Sequence, residues 1–141
     1  MLKNESYLLD THVWVWLLNG NVRIQKSNTF KNIINASKNS GLNISAISIW
    51  EIAVLEAKGR IIFSTEISNW VEKALKAPGL KLIPLLPSIS IDSTRLPGTF
   101  HGDPADRIII ATARYLQCPI ITADKKILKY SSRGLIKAIK V

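Results

Sequence analysis

Short apolar runs alternate along this chain with segments of helical periodicity, and the alternation restricts the possible folds more than any other feature. Runs typical of buried strands occupy residues 7–9, 42–44, 80–86, 119–122 and 135–141. Helices are predicted at 13–18, 27–40, from Ser45 or Ser48 to near Gly59, 65–77, 88–96, 104–117 and 125–130. The pattern predicts an α/β fold whose mostly parallel sheet is covered by helices on both faces. The length predicts a single domain over residues 1–141.

Four acidic residues lie where these elements begin or end. Asp10 follows the first strand, and Asp124 follows the fourth. Glu51 lies in the first turns of the helix after the second strand, and Asp106 lies in the first turn of the long helix before the fourth. Because open parallel sheets bind ligands outside the carboxyl ends of their strands, we expect these side chains to meet at one edge. This convergence depends on the strand order, which the sequence leaves open.

The charge balance favours an anionic partner. The chain carries 19 Lys and Arg residues against 10 Asp and Glu residues, which gives a net charge of +9. Nucleic acid or an acidic protein segment would match this charge, and a role in solubility alone is the plainer interpretation. Cys118 is the sole cysteine, so an internal disulfide is excluded. The N-terminal residues lack an apolar stretch long enough for a signal peptide or a membrane span, so we predict a cytoplasmic protein with no membrane partner.

Carboxylates gathered beside apolar runs are costly to bury unless a cation joins them. A ligand set made only of oxygen suits Mg²⁺ or Mn²⁺ rather than Zn²⁺. Such a cluster can activate a water molecule and stabilise a phosphodiester under in-line attack, while a basic surface holds the nucleic-acid backbone. Taken singly, the same acids have plainer roles. Asp10, Asp103 and Asp124 can each cap the helix that follows, and Glu51 can close a capping box with Ser48.

Four segments carry a family resemblance. They read YLLDTH at residues 7–12, SAISIWEIA at 45–53, DPADRIIIATA at 103–113 and ITAD at 121–124. In this order and spacing they closely resemble PIN-domain proteins, and most nearly the VapC-type ribonuclease toxins of type II toxin–antitoxin modules. The resemblance extends to about Tyr130. It implies a three-layer α/β/α sandwich around the parallel sheet and an endoribonuclease that depends on Mg²⁺ or Mn²⁺.

The resemblance also assigns residues and partners. The family's catalytic and metal-binding acids map onto Asp10, Glu51, Asp106 and Asp124. Asp103 becomes a neighbour that caps or tunes the site, and the family's small hydroxyl position maps to Thr11 or Ser48 and to Thr122. Partners implied by the family are an RNA substrate, a cognate antitoxin whose C-terminal segment blocks the site, and a second copy of the chain in a homodimer.

We expect Asp10 to bind the ion directly, together with Asp106 or Asp124. Glu51 would bind the ion through water or orient the attacking water. Arg107 is expected to pair with a site carboxylate or to contact phosphate, which makes it a candidate substrate-binding residue.

Three further positions have open roles. Lys125 and its neighbour Lys126 either meet the RNA backbone or are solvated charges on a helix. His101, in a loop flanked by glycines, is a candidate substrate contact. His12 suits packing or a dimer contact better than general-base catalysis.

Three functions compete with a ribonuclease. A nucleic-acid-binding module of the same fold would lack catalysis, and the intact acidic quartet argues against it. A structure-specific DNA nuclease would use the same chemistry, although the small chain with no added DNA-binding element favours RNA. A phosphoacceptor receiver domain would need an acidic pair after the first strand, where Asp10-Thr11 supplies one acid.

Overall fold

A parallel sheet forms the centre of the molecule. The computed structural model describes residues 5–141, so residues 1–4 of the predicted domain lie outside the described part. The strands are β1 (Tyr7–Leu9), β2 (Leu42–Ser45), β3 (Leu80–Ile83), β4 (Ile120–Thr122) and β5 (Ala138–Lys140). Their spatial order is β3-β2-β1-β4-β5, and each neighbouring pair is parallel.

Helices cover both faces of the sheet. They are α1 (Thr11–Leu18), α2 (Val22–Gln25), α3 (Phe30–Lys38), α4 (Ala46–Ala57), α5 (Ile67–Ala74), α6 (Pro87–Ser93), α7 (Pro104–Leu116) and α8 (Lys125–Ser131). One apolar cluster joins the sheet to α1, α2, α3 and α5, and a second joins it to α6, α7 and α8. Helix α4 contributes Ile52 to the first cluster and packs Ile47 against the second. The predicted three-layer α/β/α sandwich is therefore confirmed.

The central strands are buried on both faces, which explains why they read as continuous apolar runs. In β1, Leu9 faces the first cluster and Leu8 faces the second, because successive side chains point to opposite faces. In β4, Ile121 and Ile120 divide in the same way. All four side chains are fully buried.

The strand order places the reversal of the sheet between β1 and β4. From β1 the chain builds outward through β2 to β3, and then returns to place β4 on the opposite side of β1. A crevice outside the carboxyl ends of β1 and β4 follows from this reversal, since the connections from the two strands leave in opposite directions. Asp10 and Asp124 are predicted from the sequence to lie at this place.

Several element bounds differ from the sequence-based expectation for local reasons. The strand predicted at 80–86 ends at Ile83, because Pro84 has no N–H to donate to a ladder. The final strand forms only over Ala138–Lys140. Helix α2 was not predicted, since four residues are too short to show a period. Its N-cap is Asn21, whose side chain accepts a hydrogen bond from Arg23 N. Within residues 5–141, no helix has the length and apolar character needed to span a membrane.

The cap of α4 is Ser45, and the capping box expected from Ser48 and Glu51 does not form. Ser45 Oγ accepts a hydrogen bond from Ile47 N at 3.1 Å. Ser48 lies inside the helix and is fully buried, with its hydroxyl against Thr11 instead. The helix thus begins directly after β2, which turns Ser48 and Glu51 toward the carboxyl end of β1.

Gly79 and Gly59 allow a test of the layer packing, because both have a positive φ, of 76° and 70°. A Cβ at Gly79 would collide with the backbone of Ser37 in α3, whereas one at Gly59 would meet open space. We expect Gly59→Ala to cost about 1 kcal/mol from backbone strain alone. Gly79→Ala should cost about 2–5 kcal/mol, since overpacking adds to the strain. Urea denaturation of both variants checks this, and equal losses would contradict the close approach of α3 to the start of β3.

Candidate active site

The four predicted acids come from four different elements and line one cavity. Asp10 directly follows β1, and Asp124 lies two residues after β4. Glu51 comes from the second turn of α4, and Asp106 comes from the first turn of α7. The cavity has a volume of about 510 Å³, and Asp103 also lines it. It opens at the crevice between β1 and β4, where the topology of the sheet reverses.

Asp10 is the most enclosed of these acids, with 4% of its surface exposed. Its Oδ1 accepts a hydrogen bond from Thr11 N at 2.8 Å, which starts α1. Its Oδ2 accepts a hydrogen bond from the Thr122 hydroxyl at 2.6 Å and lies 3.5 Å from His12 Nδ1. Burial raises the pKa of Asp10, while His12 and these hydrogen bonds oppose the rise. Asp10 thereby ties the end of β1 to the end of β4.

The buried hydroxyls of Thr11 and Thr122 make two contacts each beside the cavity. These contacts reach Glu51, Asp10 and the backbone of Asp124. The Thr11 hydroxyl donates to Glu51 Oε1 at 2.5 Å, so its contact of 2.7 Å with Ser48 Oγ has Ser48 as the donor. The Thr122 hydroxyl donates to Asp10 and accepts a hydrogen bond from Asp124 N at 2.9 Å. The hydroxyl positions suggested by the resemblance therefore contact three of the four acids.

Asp103 and Asp124 also cap helices at this edge. Asp103 Oδ1 accepts a hydrogen bond from Asp106 N at 2.9 Å, which fixes the first turn of α7. Asp124 Oδ1 accepts hydrogen bonds from Lys126 N at 2.8 Å and from Ile127 N at 3.1 Å. Each of these carboxylates therefore both caps a helix and lines the cavity. The cap hydrogen bonds fix its position at the N-terminus of the helix.

Glu51 and Asp106 have strongly perturbed pKa values. Burial is the largest cause for both, and it raises the pKa of each to about 7. Repulsion from Asp10, Asp103 and Asp124 adds to the rise at both positions. At neutral pH both carboxyls are therefore partly protonated, and any added positive charge in the cavity would favour their ionised forms.

The donor set fits a hard divalent cation that keeps part of its water shell. The cavity offers carboxylate oxygens from Asp and Glu and no thiol. Within residues 5–141, no three His, Cys, Asp or Glu side chains are close enough to chelate one ion by themselves. One or two direct carboxylates with water filling the remaining positions is the usual arrangement for Mg²⁺ in phosphate-handling sites. The spacing of the acids around a cavity agrees with that arrangement.

His12 contributes more than the packing role expected from the sequence. Its Nε2 accepts a hydrogen bond from Ala123 N at 2.9 Å, so its proton lies on Nδ1, on the side of Asp10. The ring also contacts Trp16 edge to face at 4.9 Å, and Arg23 lies over Trp16 at 4.8 Å. His12 therefore bridges the loops that carry Asp10 and Asp124.

The predicted substrate contacts divide into three kinds. Arg107 donates hydrogen bonds to Ser93 O and Phe100 O, both at 2.8 Å, so its guanidinium holds the loop before α7 rather than a site carboxylate. Lys125 is exposed at the first position of α8. His101 is exposed and lines a second cleft beside the cavity.

Two cations that line the carboxylate cavity are Arg60 and Lys126. Lys126 was considered in the sequence analysis beside Lys125, and Arg60 was not identified. From the sequence, Arg60 could be placed only as the residue after the helix end at Gly59. The direction of its side chain depends on how α4 packs, for which the sequence carries no signal.

Comparison with known proteins identifies the family of this fold. A family model described as "PIN domain" matches residues 7–132. The chain is 31% identical over 122 residues to ribonuclease VapC22 of Mycobacterium tuberculosis, an alignment that covers 86% of this chain and 89% of that protein. Both lengths are thus matched almost completely.

Solved structures show the same fold at lower sequence identity. A VapBC2 complex from Rickettsia felis bound to promoter DNA contains a chain with a TM-score of 0.67 and 16% identity, covering 95% of this chain and 97% of that one. A DNA-bound VapBC complex from Salmonella typhimurium gives a TM-score of 0.65 and 14% identity, with coverage of 96% and 98%. With a family model matched over most of its length and a VapC relative at this identity, the chain belongs to the PIN-domain family.

Proposed function

We propose that this protein is a metal-dependent endoribonuclease and the toxin of a type II toxin–antitoxin module. One observation carries the proposal: Asp10, Glu51, Asp106 and Asp124 come from four separate elements and line one cavity at the reversal of the sheet. The likeness to ribonuclease VapC22 supports RNA as the substrate. The net charge of +9 supports a polyanionic substrate around this acidic centre.

Asp10, together with Asp106 or Asp124, would hold Mg²⁺ or Mn²⁺, with water filling the remaining positions. The ion, when bound, would lower the pKa of water and offset negative charge on the scissile phosphate. Glu51 orients the attacking water through Oε2, because its Oε1 is engaged by the Thr11 hydroxyl. Thr122 keeps Oδ2 of Asp10 in place. A water molecule held in this orientation reacts faster than bulk water, because the entropic cost of bringing it to the phosphate has already been met.

A cognate antitoxin and a second copy of the chain are the proposed protein partners. The structural relatives include a toxin–antitoxin complex from Klebsiella pneumoniae, with a TM-score of 0.57 and 21% identity. This chain exposes large apolar side chains that a protein partner would cover, among them Trp50 at 58% and Ile62 at 90% exposure.

Substitution of the acids tests the catalytic proposal. We expect Asp10→Asn to lower the rate of Mg²⁺-dependent cleavage of single-stranded RNA by at least about 100-fold, since it removes a charged ligand from the cavity. Glu51→Gln should cause a loss of similar size. Glu56→Gln, on the exposed side of the same helix, is the matched control and should cleave at the wild-type rate.

The measurement is single-turnover cleavage of a labelled RNA, repeated with a DNA strand of the same sequence. A wild-type rate for Asp10→Asn, or equal effects of Glu51→Gln and Glu56→Gln, would refute the carboxylate mechanism. Faster cleavage of DNA would leave the chemistry in place and replace the ribonuclease with a DNA nuclease.

The raised pKa of Asp106 predicts how stability depends on pH in the metal-free protein. Its pKa rises from 3.8 to about 7 on folding, so the folded state binds more protons between these values. The stabilisation is full below about pH 4 and is lost as the pH rises toward 7. Asp106→Asn removes this dependence, so its Tm should exceed that of the wild type by a margin that grows from pH 4 to pH 8.

Thermal denaturation in EDTA measures both curves. Addition of Mg²⁺ at pH 8 should raise the Tm of the wild type more than that of Asp106→Asn, because only the wild type gains charge neutralisation at this position. Parallel pH curves for the two proteins would contradict the role assigned to burial and repulsion at Asp106.

A further inference from the structure

The end of the chain is strongly and uniformly basic. After Asp124 there are six cations and no acid: Lys125, Lys126, Lys129, Arg133, Lys137 and Lys140. This segment of 17 residues supplies six of the nine net positive charges of the chain. A balanced surface would intersperse both signs, so this concentration marks one region of the molecule for an anion.

Three of these cations form a row beside the carboxylate cavity. Lys126, Lys129 and Arg133 are spaced by three and four residues along α8 and the turn after it, so they share one face. All three are exposed, and within residues 5–141 none of them pairs with a carboxylate. Arg133 Nη1 donates to Thr99 O at 2.6 Å, which holds its side chain against the neighbouring loop.

The row borders a cleft of about 180 Å³. His101 lies on its rim, and its walls include Phe100 and Tyr130, whose rings meet edge to face at 5.4 Å. The Tyr130 hydroxyl donates to Pro97 O at 2.5 Å, so the loop that carries His101 is fastened to α8. The cleft is therefore lined by the three cations of α8 and the following turn and by the imidazole ring of His101.

Lys126 lines both this cleft and the carboxylate cavity, so the two are adjacent. Helix α8 is capped by Asp124 at the cavity and runs away from it. At the helical rise, the row from Lys126 to Arg133 in the following turn extends about 10 Å. If one phosphate of a polyanion lies at the carboxylates, the next phosphates along the chain would reach these cations.

We propose that Lys126, Lys129, Arg133 and His101 form a binding track for single-stranded RNA that leads away from the scissile phosphate. The inference rests on the proposed ribonuclease function and adds the path of the substrate. The three cations contact successive phosphates, and His101 stacks on a base, as aromatic and imidazole rings do with unpaired RNA. One row of cations on one side of the cavity matches one strand rather than a duplex.

An acidic peptide fits this track less well than RNA. The adjoining cavity holds five carboxylates, which repel the side chains of an acidic peptide at the point where the track begins. A phosphodiester chain avoids this conflict when a divalent cation bridges its phosphate to the carboxylates, and it then meets Lys126 next.

Binding of a labelled single-stranded RNA, measured by fluorescence anisotropy in Mg²⁺ between about 50 and 200 mM salt, tests the track. All proteins carry Asp10→Asn so that the RNA stays intact. We expect the combined change Lys126→Gln, Lys129→Gln and Arg133→Gln to weaken binding by about 10- to 100-fold at 0.1 M salt, and to reduce the slope of log K against log salt by about 2, since three phosphate contacts are lost.

The matched control combines Lys31→Gln, Lys38→Gln and Lys73→Gln. These three exposed lysines lie on α3 and α5, on the other face of the sheet, and the control removes the same charge. We expect it to change affinity by less than about 3-fold, because it removes only distant and screened charges. Equal losses in the two triple variants would show that only net charge matters and would overturn the track.

Two competitors test the nature of the ligand. A duplex of the same RNA should displace the labelled strand less well than the unlabelled strand does, and a poly-glutamate peptide should displace it least. Displacement by the peptide or the duplex as effective as that by the strand would overturn the assignment to single-stranded RNA.

The outcome is separable from the test of the ribonuclease itself. If the α8 substitutions weaken binding as expected but the wild type never cleaves RNA, the proposed catalysis fails and the track stands. If the wild type cleaves RNA and the α8 variant binds like the control, the track fails and the catalysis stands.

Discussion

The hydrogen bond between the Thr122 hydroxyl and Asp10 Oδ2 joins the two central strands at the point where the sheet reverses. Asp10 also starts α1, and Thr122 accepts the hydrogen bond from Asp124 N that precedes α8. A buried carboxylate without such donors would cost several kcal/mol, so burial and hydrogen bonding depend on one another here. Glu51 and Asp124 are tied to this pair of strand ends, through Thr11 and through the Thr122 hydroxyl respectively.

Carboxylates are concentrated around this contact, although the chain as a whole is basic. Carboxylates that repel one another line the cavity, and the pKa of Glu51 rises to about 7 as a result of burial and repulsion. Cations dominate the rest of the chain and are densest along α8. A cluster of carboxylates lowers the stability of the fold when no cation is bound, and a bound cation restores it. Such a loss of stability is common at sites that serve function.

Local signals in the sequence predicted the layers and the four acids that line the cavity, because apolar period, capping and strand ends are short-range properties. The strand order was not predictable, since it depends on which long-range pairings are most favourable. Side-chain direction was equally hidden. Ser48 was one of two candidate caps of α4 and is instead buried against Thr11. Arg107 was expected to pair with a site carboxylate or to contact phosphate, and it donates to backbone carbonyls instead. In each case tertiary packing selects one of several partners that local sequence allows.

The double use of Asp10 and Asp124 as helix caps and as cavity carboxylates has an evolutionary consequence. A cap needs only an oxygen acceptor, which asparagine also provides, whereas a charged ligand needs the carboxylate. A single-nucleotide change from Asp to Asn therefore separates folding from charge at Asp124, where Oδ1 alone accepts both hydrogen bonds of the cap. At Asp10 the same change would also remove the acceptor of the Thr122 hydroxyl. Lineages in which cleavage of RNA becomes a burden have a short route to a folded, inactive chain that keeps its surface, and with it the ability to bind whatever partners that surface serves.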